Sequence, residues 1–258
     1  MLNTLILDVD GTLADTADVK RTAFNQAFAE FGFDWVWNRR IYAQIVAKAR
    51  TGCELEYFTL LRFPDTFPKL DGDGTLGAIG RRQQKIYLGL LESGAAPLRP
   101  GAARLMSEAI AGPVRLAICS TGSRLEYETL LYIRFGLEMI DGLDCAIAAE
   151  DLGTPTPLAA YRECVRRLNV APAGLVAIDD SSNGVAAAAG LGLTVVATPS
   201  YYTINQRFTG AAVVLSDLGH PAAPLSVYAG ALPGVSHVTL ETLESLVSSR
   251  RRNEADAA

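Results

Sequence analysis

The sequence predicts an α/β protein, a doubly wound parallel-sheet core with a helical domain inserted close to its start. Three observations predict it. Short apolar runs of strand length alternate with helical patterns along most of the chain. Those runs are apolar at consecutive positions, as strands buried on both faces are. Residues 16–96 break the alternation with helical patterns alone.

The core strands are expected at residues 2–7, 114–119, 145–148, 175–178, 193–197 and 212–215, several of them rich in Val and Ile. Most are bounded by Gly, Pro, Asp or Ser, which end regular structure. Helical patterns at 102–110, 125–135, 158–168 and 183–189 lie between them and supply the layers that cover the sheet. In the insert, residues 17–31 place Val19, Ala23, Phe24, Ala27, Phe28 and Phe31 on one helical face. More helix is expected at 39–48, 55–62 and 79–91, with a Gly/Asp-rich turn at 71–74. Trp35 and Trp37 read as packing of this insert. The chain re-enters the core at Leu98-Arg99-Pro100-Gly101. The expected organisation is therefore a core of residues 1–15 and 97–247 and a helical cap of residues 16–96. Residues 248–258 are polar and small apart from the basic run 250–252, and are expected to form an unstructured tail.

Composition narrows the function. With 49% apolar and 20% charged residues among 258, the chain is neither disordered nor fibrous, and it is long enough to bury a sizeable core. No uncharged apolar run approaches the roughly 18 residues of a membrane span. The N-terminal apolar stretch meets Asp8 and Asp10 at once, unlike a signal peptide. A net charge of -5 argues against nucleic acid as the main partner. The four cysteines (Cys53, Cys119, Cys145, Cys164) form no C-x-x-C pair, so structural zinc and a disulfide framework are not expected and a reducing cytoplasm is. Monomer is the default. The charge is unevenly divided: residues 16–96 carry a balance of +2 and the remainder -7. All four lysines (Lys20, Lys48, Lys69, Lys85) lie in the insert.

The chemistry collects where strands end. In open parallel sheets, ligands bind beyond the carboxyl ends of the strands. Here the first strand runs into Asp8-Val9-Asp10-Gly11-Thr12-Leu13, another into Ser120-Thr121-Gly122, and a third into Asp179-Asp180-Ser181. Clustered carboxylates repel one another and call for a cation. Mg²⁺ suits such oxygen donors. Asp8 could then attack phosphorus as a carboxylate nucleophile, and Asp10 could protonate the leaving oxygen and later activate water. Gly11 permits a tight turn that brings backbone N–H groups to the phosphoryl oxygens, and Ser120 supplies a further hydrogen bond. The alternative is that these aspartates only cap turns and helices.

The D-x-D-G-T-L of residues 8–13, Ser120 closing a strand and the D-D-S-x-x-G of residues 179–184 resemble the haloacid dehalogenase-like (HAD) hydrolase superfamily, whose core is Rossmann-like. Residues 8–14, 23–25, 98–101, 180–184 and 202–203 are similar to its CbbY-type sugar-phosphate phosphatases and β-phosphoglucomutase-like members. The resemblance implies a phosphatase acting through an aspartyl-phosphate on a small phosphorylated metabolite, a sugar phosphate or bisphosphate. By it, Asp8 is nucleophile and metal ligand, and Asp10 is general acid/base and gives the metal its backbone carbonyl. Asp179 and Asp180 complete the Mg²⁺ site, with Gly11, Ser120 and Thr121 around the phosphate. Asp10 also disfavours dehalogenation, since the dehalogenating branch lacks a carboxylate there.

The chain departs from that pattern at three basic positions. Where the family has the lysine of K-P-x-P, this chain has Thr154-Pro155-Thr156-Pro157, so Thr154 is left to meet the phosphate with a hydroxyl and no charge. Lys20 stands where CbbY-type relatives have a histidine, and Gly52-Cys53 where they have glycine and lysine. Lys20, Arg50 and Gly52 are the cap positions expected to meet substrate. Arg124 and Arg162 are the core arginines that could replace the lysine, although each alone reads as an exposed helix residue. Two alternatives to the phosphatase follow. One is a phosphomutase of the same family; the other is a weakened relative that binds a phosphorylated ligand or a protein.

Overall fold

Strand β1 (Thr4–Leu7) is buried at every residue and lies at the middle of the sheet, flanked by β2 (Arg115–Cys119) and by the strand that ends at Asp179. Outward from β2 comes β3 (Cys145–Ile147); on the other side follow β4 (Leu175–Asp179), β5 (Thr194–Ala197), β6 (Val213–Leu215) and β7 (Val227–Gly230). The order is β3-β2-β1-β4-β5-β6-β7, parallel except for the β6–β7 pair. The register sets Leu7 opposite Ile118 on one side and Ile178 on the other, so Asp8 follows β1 where Asp179 closes β4. In this computed structural model the described residues are 1–49, 52–232 and 234–256. The chain divides into two compact units, Met1–Asp15 with Pro97–Ala258, and Thr16–Ala96.

The second unit is helical: α1 (Thr16–Glu30), α2 (Arg39–Val46), α3 (Glu54–Arg62), α4 (Phe67–Gly72) and α5 (Thr75–Glu92). Its core is aromatic. Trp37 is fully buried against Phe24, Phe28, Tyr42 and Phe58, with ring centroids 4.6–5.6 Å apart. Trp35 stacks between Phe33 and Phe63 at 4.1 and 5.1 Å. Asn25 fixes this packing by accepting from the Trp37 N–H at 2.8 Å and donating to its carbonyl at 3.0 Å. Helix α4 occupies part of the turn expected at 71–74; Pro68 in its first turn starts a helix as well as it stops one.

Six helices belong to the first unit: α6 (Ala102–Ala111), α7 (Arg124–Phe135), α8 (Leu137–Asp141), α9 (Pro157–Leu168), α10 (Ser182–Gly190) and α11 (Leu240–Asp256). Caps mark their starts. Ser123 Oγ accepts from the Glu126 N–H, Thr156 Oγ1 from Ala159, and Ser181 Oγ from Gly184. The segment leaving this unit pairs with the one returning, Arg99 N–H to Leu13 at 2.8 Å and Asp15 N–H to Pro97 at 2.9 Å.

Two features differ from the sequence expectation. Strand β7 was not expected: its apolar Val227-Tyr228-Ala229-Gly230 is exposed throughout and pairs antiparallel with β6 at the sheet edge, outside the alternation of strand and helix. Helix α11 continues through residues 248–256, where a tail is expected. Leu243 and Val247 anchor it in the core, and Arg250 and Arg251 donate to the carbonyls of Leu193 and Ala173, the latter at 3.0 Å.

Candidate active site

The carboxylates of Asp8, Asp179 and Asp180 converge, each offering an oxygen within 4.8 Å of the others. The chain has made room for them. Gly11 sits in a left-handed turn at φ 81°, and a Cβ there would come 2.3 Å from Asp180 Oδ2. A Cβ on Gly184 would come 1.9 Å from Asp179 Oδ2. Gly11 is thus required by both its backbone conformation and Asp180, and Gly184 by the Asp179 carboxylate alone.

Each carboxylate has fixed donors. Thr12 Oγ1 donates to Asp8 Oδ2 at 3.0 Å. The buried Tyr161 hydroxyl donates to Asp179 Oδ2 at 2.8 Å, and the N–H and hydroxyl of Ser181 donate to Asp179 Oδ1 at 2.8 and 2.9 Å. Thr203 Oγ1 donates to Asp180 Oδ2 at 2.9 Å. It is Ser181, not an aspartate, that caps α10, so Asp179 and Asp180 are left to the cluster.

The electrostatics are those of a site built for a cation. Burial, then Asp179, Asp180 and Asp10, push Asp8 well above the usual carboxylate range. Burial raises Asp179, and burial with the Asp179 charge pushes Asp180 up to about 7. Three buried carboxyl groups, each raised first by burial and two of them also by neighbouring carboxylates, form a hard oxygen donor set when ionised, which fits Mg²⁺. Thr198, 1% exposed and bonded through its N–H to Asp179 O at 2.9 Å, adds a buried hydroxyl with no partner among the described residues.

Asp10 stands on the other side of the turn, toward β2. A Cβ on Gly122 would lie 3.7 Å from Asp10 Oδ2 and 3.3 Å from Ser120 Oγ, so these groups share one neighbourhood. Ser120 is buried and accepts from the Gly122 N–H at 3.0 Å, and Thr121 is half-buried beside it. The Gly11 N–H is bonded to Ala14 O at 2.8 Å, so Gly11 shapes the turn while its own donor is engaged there.

Thr154 is exposed in the loop before α9, and no side-chain hydrogen bond ties it to the carboxylates among the described residues. Arg124 is committed elsewhere: it pairs with Asp151 at 2.6 Å and Glu128 at 3.8 Å and donates to the Tyr127 hydroxyl at 2.7 Å. Arg162 is exposed on α9. In the helical unit, Lys20 lies 5.2 Å from the Tyr87 ring centroid and its charge acts on Glu54, whose carboxyl burial nonetheless raises. Gly52 is exposed at φ 79°, and Arg50 falls outside the described residues.

Tyr161 and Thr203, which bond Asp179 and Asp180, and Ser200, which bonds Thr203, were not among the residues expected from the sequence to build the site. Thr203 sits in a Ser/Thr/Tyr cluster after an apolar strand end, a signal that could have marked it. Tyr161 shows only as one more apolar position on its helix.

The model of the haloacid dehalogenase-like hydrolases matches residues 2–192, which hold all of the strand-end carboxylates. The chain belongs to this family. This HAD-like hydrolase is 34% identical over 241 residues to the plasmid-encoded protein CbbY of Cupriavidus necator, covering 92% of each chain. Its structure is similar to that of CbbY from Rhodobacter sphaeroides in complex with phosphate, with a TM-score of 0.72 and 32% identity over 84% of this chain and 95% of the other. A mutant of the same CbbY in complex with xylulose-(1,5)bisphosphate aligns equally, at a TM-score of 0.72 and 31% identity over 86% and 98% of the two chains. No helix among the described residues is long and apolar enough to cross a membrane.

Proposed function

We propose that the enzyme is a Mg²⁺-dependent phosphatase acting on a small phosphorylated metabolite, a sugar phosphate or bisphosphate, through an aspartyl-phosphate. The observation that carries this is the convergence of Asp8, Asp179 and Asp180 within 4.8 Å at the end of adjacent strands. The resemblance to a CbbY that binds xylulose-(1,5)bisphosphate supports the substrate class.

Asp8, Asp179, Asp180 and the Asp10 backbone carbonyl would hold Mg²⁺, which, when bound, offsets the carboxylate charge and that of the phosphoryl group. Asp8 attacks phosphorus and the bond to the leaving oxygen breaks. Asp10, on the β2 side of the turn, gives that oxygen its proton. The resulting carboxylate of Asp10 then takes a proton from water as the water attacks the aspartyl-phosphate, which returns Asp8 and releases phosphate. Ser120 and Thr121 donate to the phosphoryl oxygens. Thr12 keeps the Asp8 carboxylate oriented.

The test is turnover of a panel of sugar phosphates, xylulose-(1,5)bisphosphate included, by the wild type and Asp8→Asn with Mg²⁺. Unchanged turnover in the variant overturns the reading. A second reading, a weakened enzyme that chiefly binds its phosphorylated ligand, draws on the exposed Thr154 and on the ion-paired Arg124. Restoring the family lysine with Thr154→Lys separates the two.

A further inference from the structure

Arg99 is 8% exposed yet forms no ion pair with the metal carboxylates; its pair is Asp15, at 3.5 Å. Its guanidinium instead grips backbone. Nη2 donates to the carbonyls of Pro199 at 3.0 Å and Ser216 at 2.9 Å, while the Arg99 N–H bonds Leu13 O at 2.8 Å. One side chain thus ties together the segment leaving the first unit, the segment returning to it, and the loops after β5 and β6.

The loop after β5 is the one that holds Asp180. Directly after Pro199, the Ser200 N–H donates to Thr203 Oγ1 at 2.8 Å, and the Thr203 N–H returns to Ser200 O at 3.1 Å. Thr203 Oγ1 then donates to Asp180 Oδ2 at 2.9 Å. The carbonyl that Arg99 grips is one residue from the start of this relay. The Arg99 charge also acts on Asp180, favouring its ionised form. A burial this complete takes a guanidinium out of water, a cost that surface residues avoid.

We infer that Arg99 is a positioning residue for Asp180: by clamping Pro199 it holds the Ser200–Thr203 turn against the carboxylate, and so sets the affinity of the site for its divalent cation. The inference rests on the metal-site reading above and adds to it a residue that touches neither metal nor substrate. Partners of this kind behind metal ligands carry about 10–100-fold in affinity when removed.

The test is calorimetric titration of Mg²⁺ into metal-stripped wild type, Arg99→Met, Arg99→Lys and Thr203→Val, with circular dichroism to confirm folding. Arg99→Met should raise the Mg²⁺ Kd about tenfold, and Thr203→Val by a similar factor with Arg99 in place. Arg99→Lys should recover part of the loss, because an ammonium keeps the charge but not the fork. The Mg²⁺ concentration for half-maximal turnover should move by the same factors. A folded Arg99→Met with the wild-type Kd overturns the inference; if that variant does not fold, wild-type Kd values in both Arg99→Lys and Thr203→Val overturn it. Failure of the wild type itself to bind Mg²⁺ would instead overturn the metal-site reading, which separates the two.

Discussion

On the β4–β5 flank of the site, neutral donors are aimed at carboxylates, Ser181 at Asp179 and Thr203 at Asp180, and the buried Tyr161 reaches Asp179 from the inner face of α9. On the flank toward β3 and α9, charged side chains are matched to each other. Asp151 takes both Arg124 and Arg167, at 2.6 and 2.8 Å, and Glu163 takes Arg166 and Arg167 at 2.6 and 2.7 Å. The first flank keeps its anionic charge uncompensated and available; the second cancels its own. The difference teaches that the core unit gathers carboxylates fit for a cation, while the arginines of the second flank, among the described residues, are engaged by neighbouring acids. A threonine at 154 is compatible with the fold, since the position is exposed.

The comparison can be broken most severely at Asp8. Asp8→Asn should lower turnover by at least about a thousandfold, since the amide cannot serve as the nucleophile. Steady-state hydrolysis with saturating Mg²⁺ checks it. Next in size is Thr154→Lys, which adds a cation beside a flank whose arginines are already ion-paired. It should raise kcat/KM by about ten- to a hundredfold, as a charged donor toward a developing phosphoryl charge does. A fall would show that another group already occupies that place.

Crowding the first flank should cost less. In Gly184→Ala the new methyl meets the Asp179 carboxylate, which Tyr161 and Ser181 hold in place, so it should destabilise by about 1–3 kcal/mol. Denaturant unfolding measures this, and the stabilisation added by Mg²⁺ should shrink with it.

The mildest probe is pH. Asp180 keeps its proton up to about 7 in the fold, whereas an unfolded aspartate releases it near 3.9. Between those values the folded state binds more protons than the unfolded one. Metal-free stability should therefore fall with rising pH, by about 1.4 kcal/mol per unit for this group, and level off above about 7. Urea unfolding at pH 5 and 7 in chelator should show the decline, and Mg²⁺ should flatten it. A stability that rises over this window would mean that the carboxylates are ionised and compensated without metal.

The aspartates were legible in the sequence because their signal is local: an apolar strand run followed at once by a carboxylate. The sheet was legible for the same reason, six of its seven strands among the described residues lying in mainly apolar runs set between helical patterns. Strand β7 was not, because it follows β6 with no helix between and so falls outside the alternation, and α11 was not, because its last turns are held by arginines bonding distant carbonyls. Arg99, Tyr161 and Thr203 escaped for a related reason. Their roles lie in where a side chain reaches across the fold, and no spacing in the chain records that Tyr161 will find Asp179 or that Arg99 will find Pro199.

The pairing of β1 with β4 has a consequence for how the molecule is made. Asp8 and Asp179 lie far apart in the chain, yet they adjoin only because those two strands are neighbours in the sheet. No short fragment of the chain carries the cluster, and pairings between segments so distant in sequence form slowly. A divalent cation held by these carboxylates would therefore bind only once β1 and β4 are paired, and would act as a latch on molecules that have reached that stage.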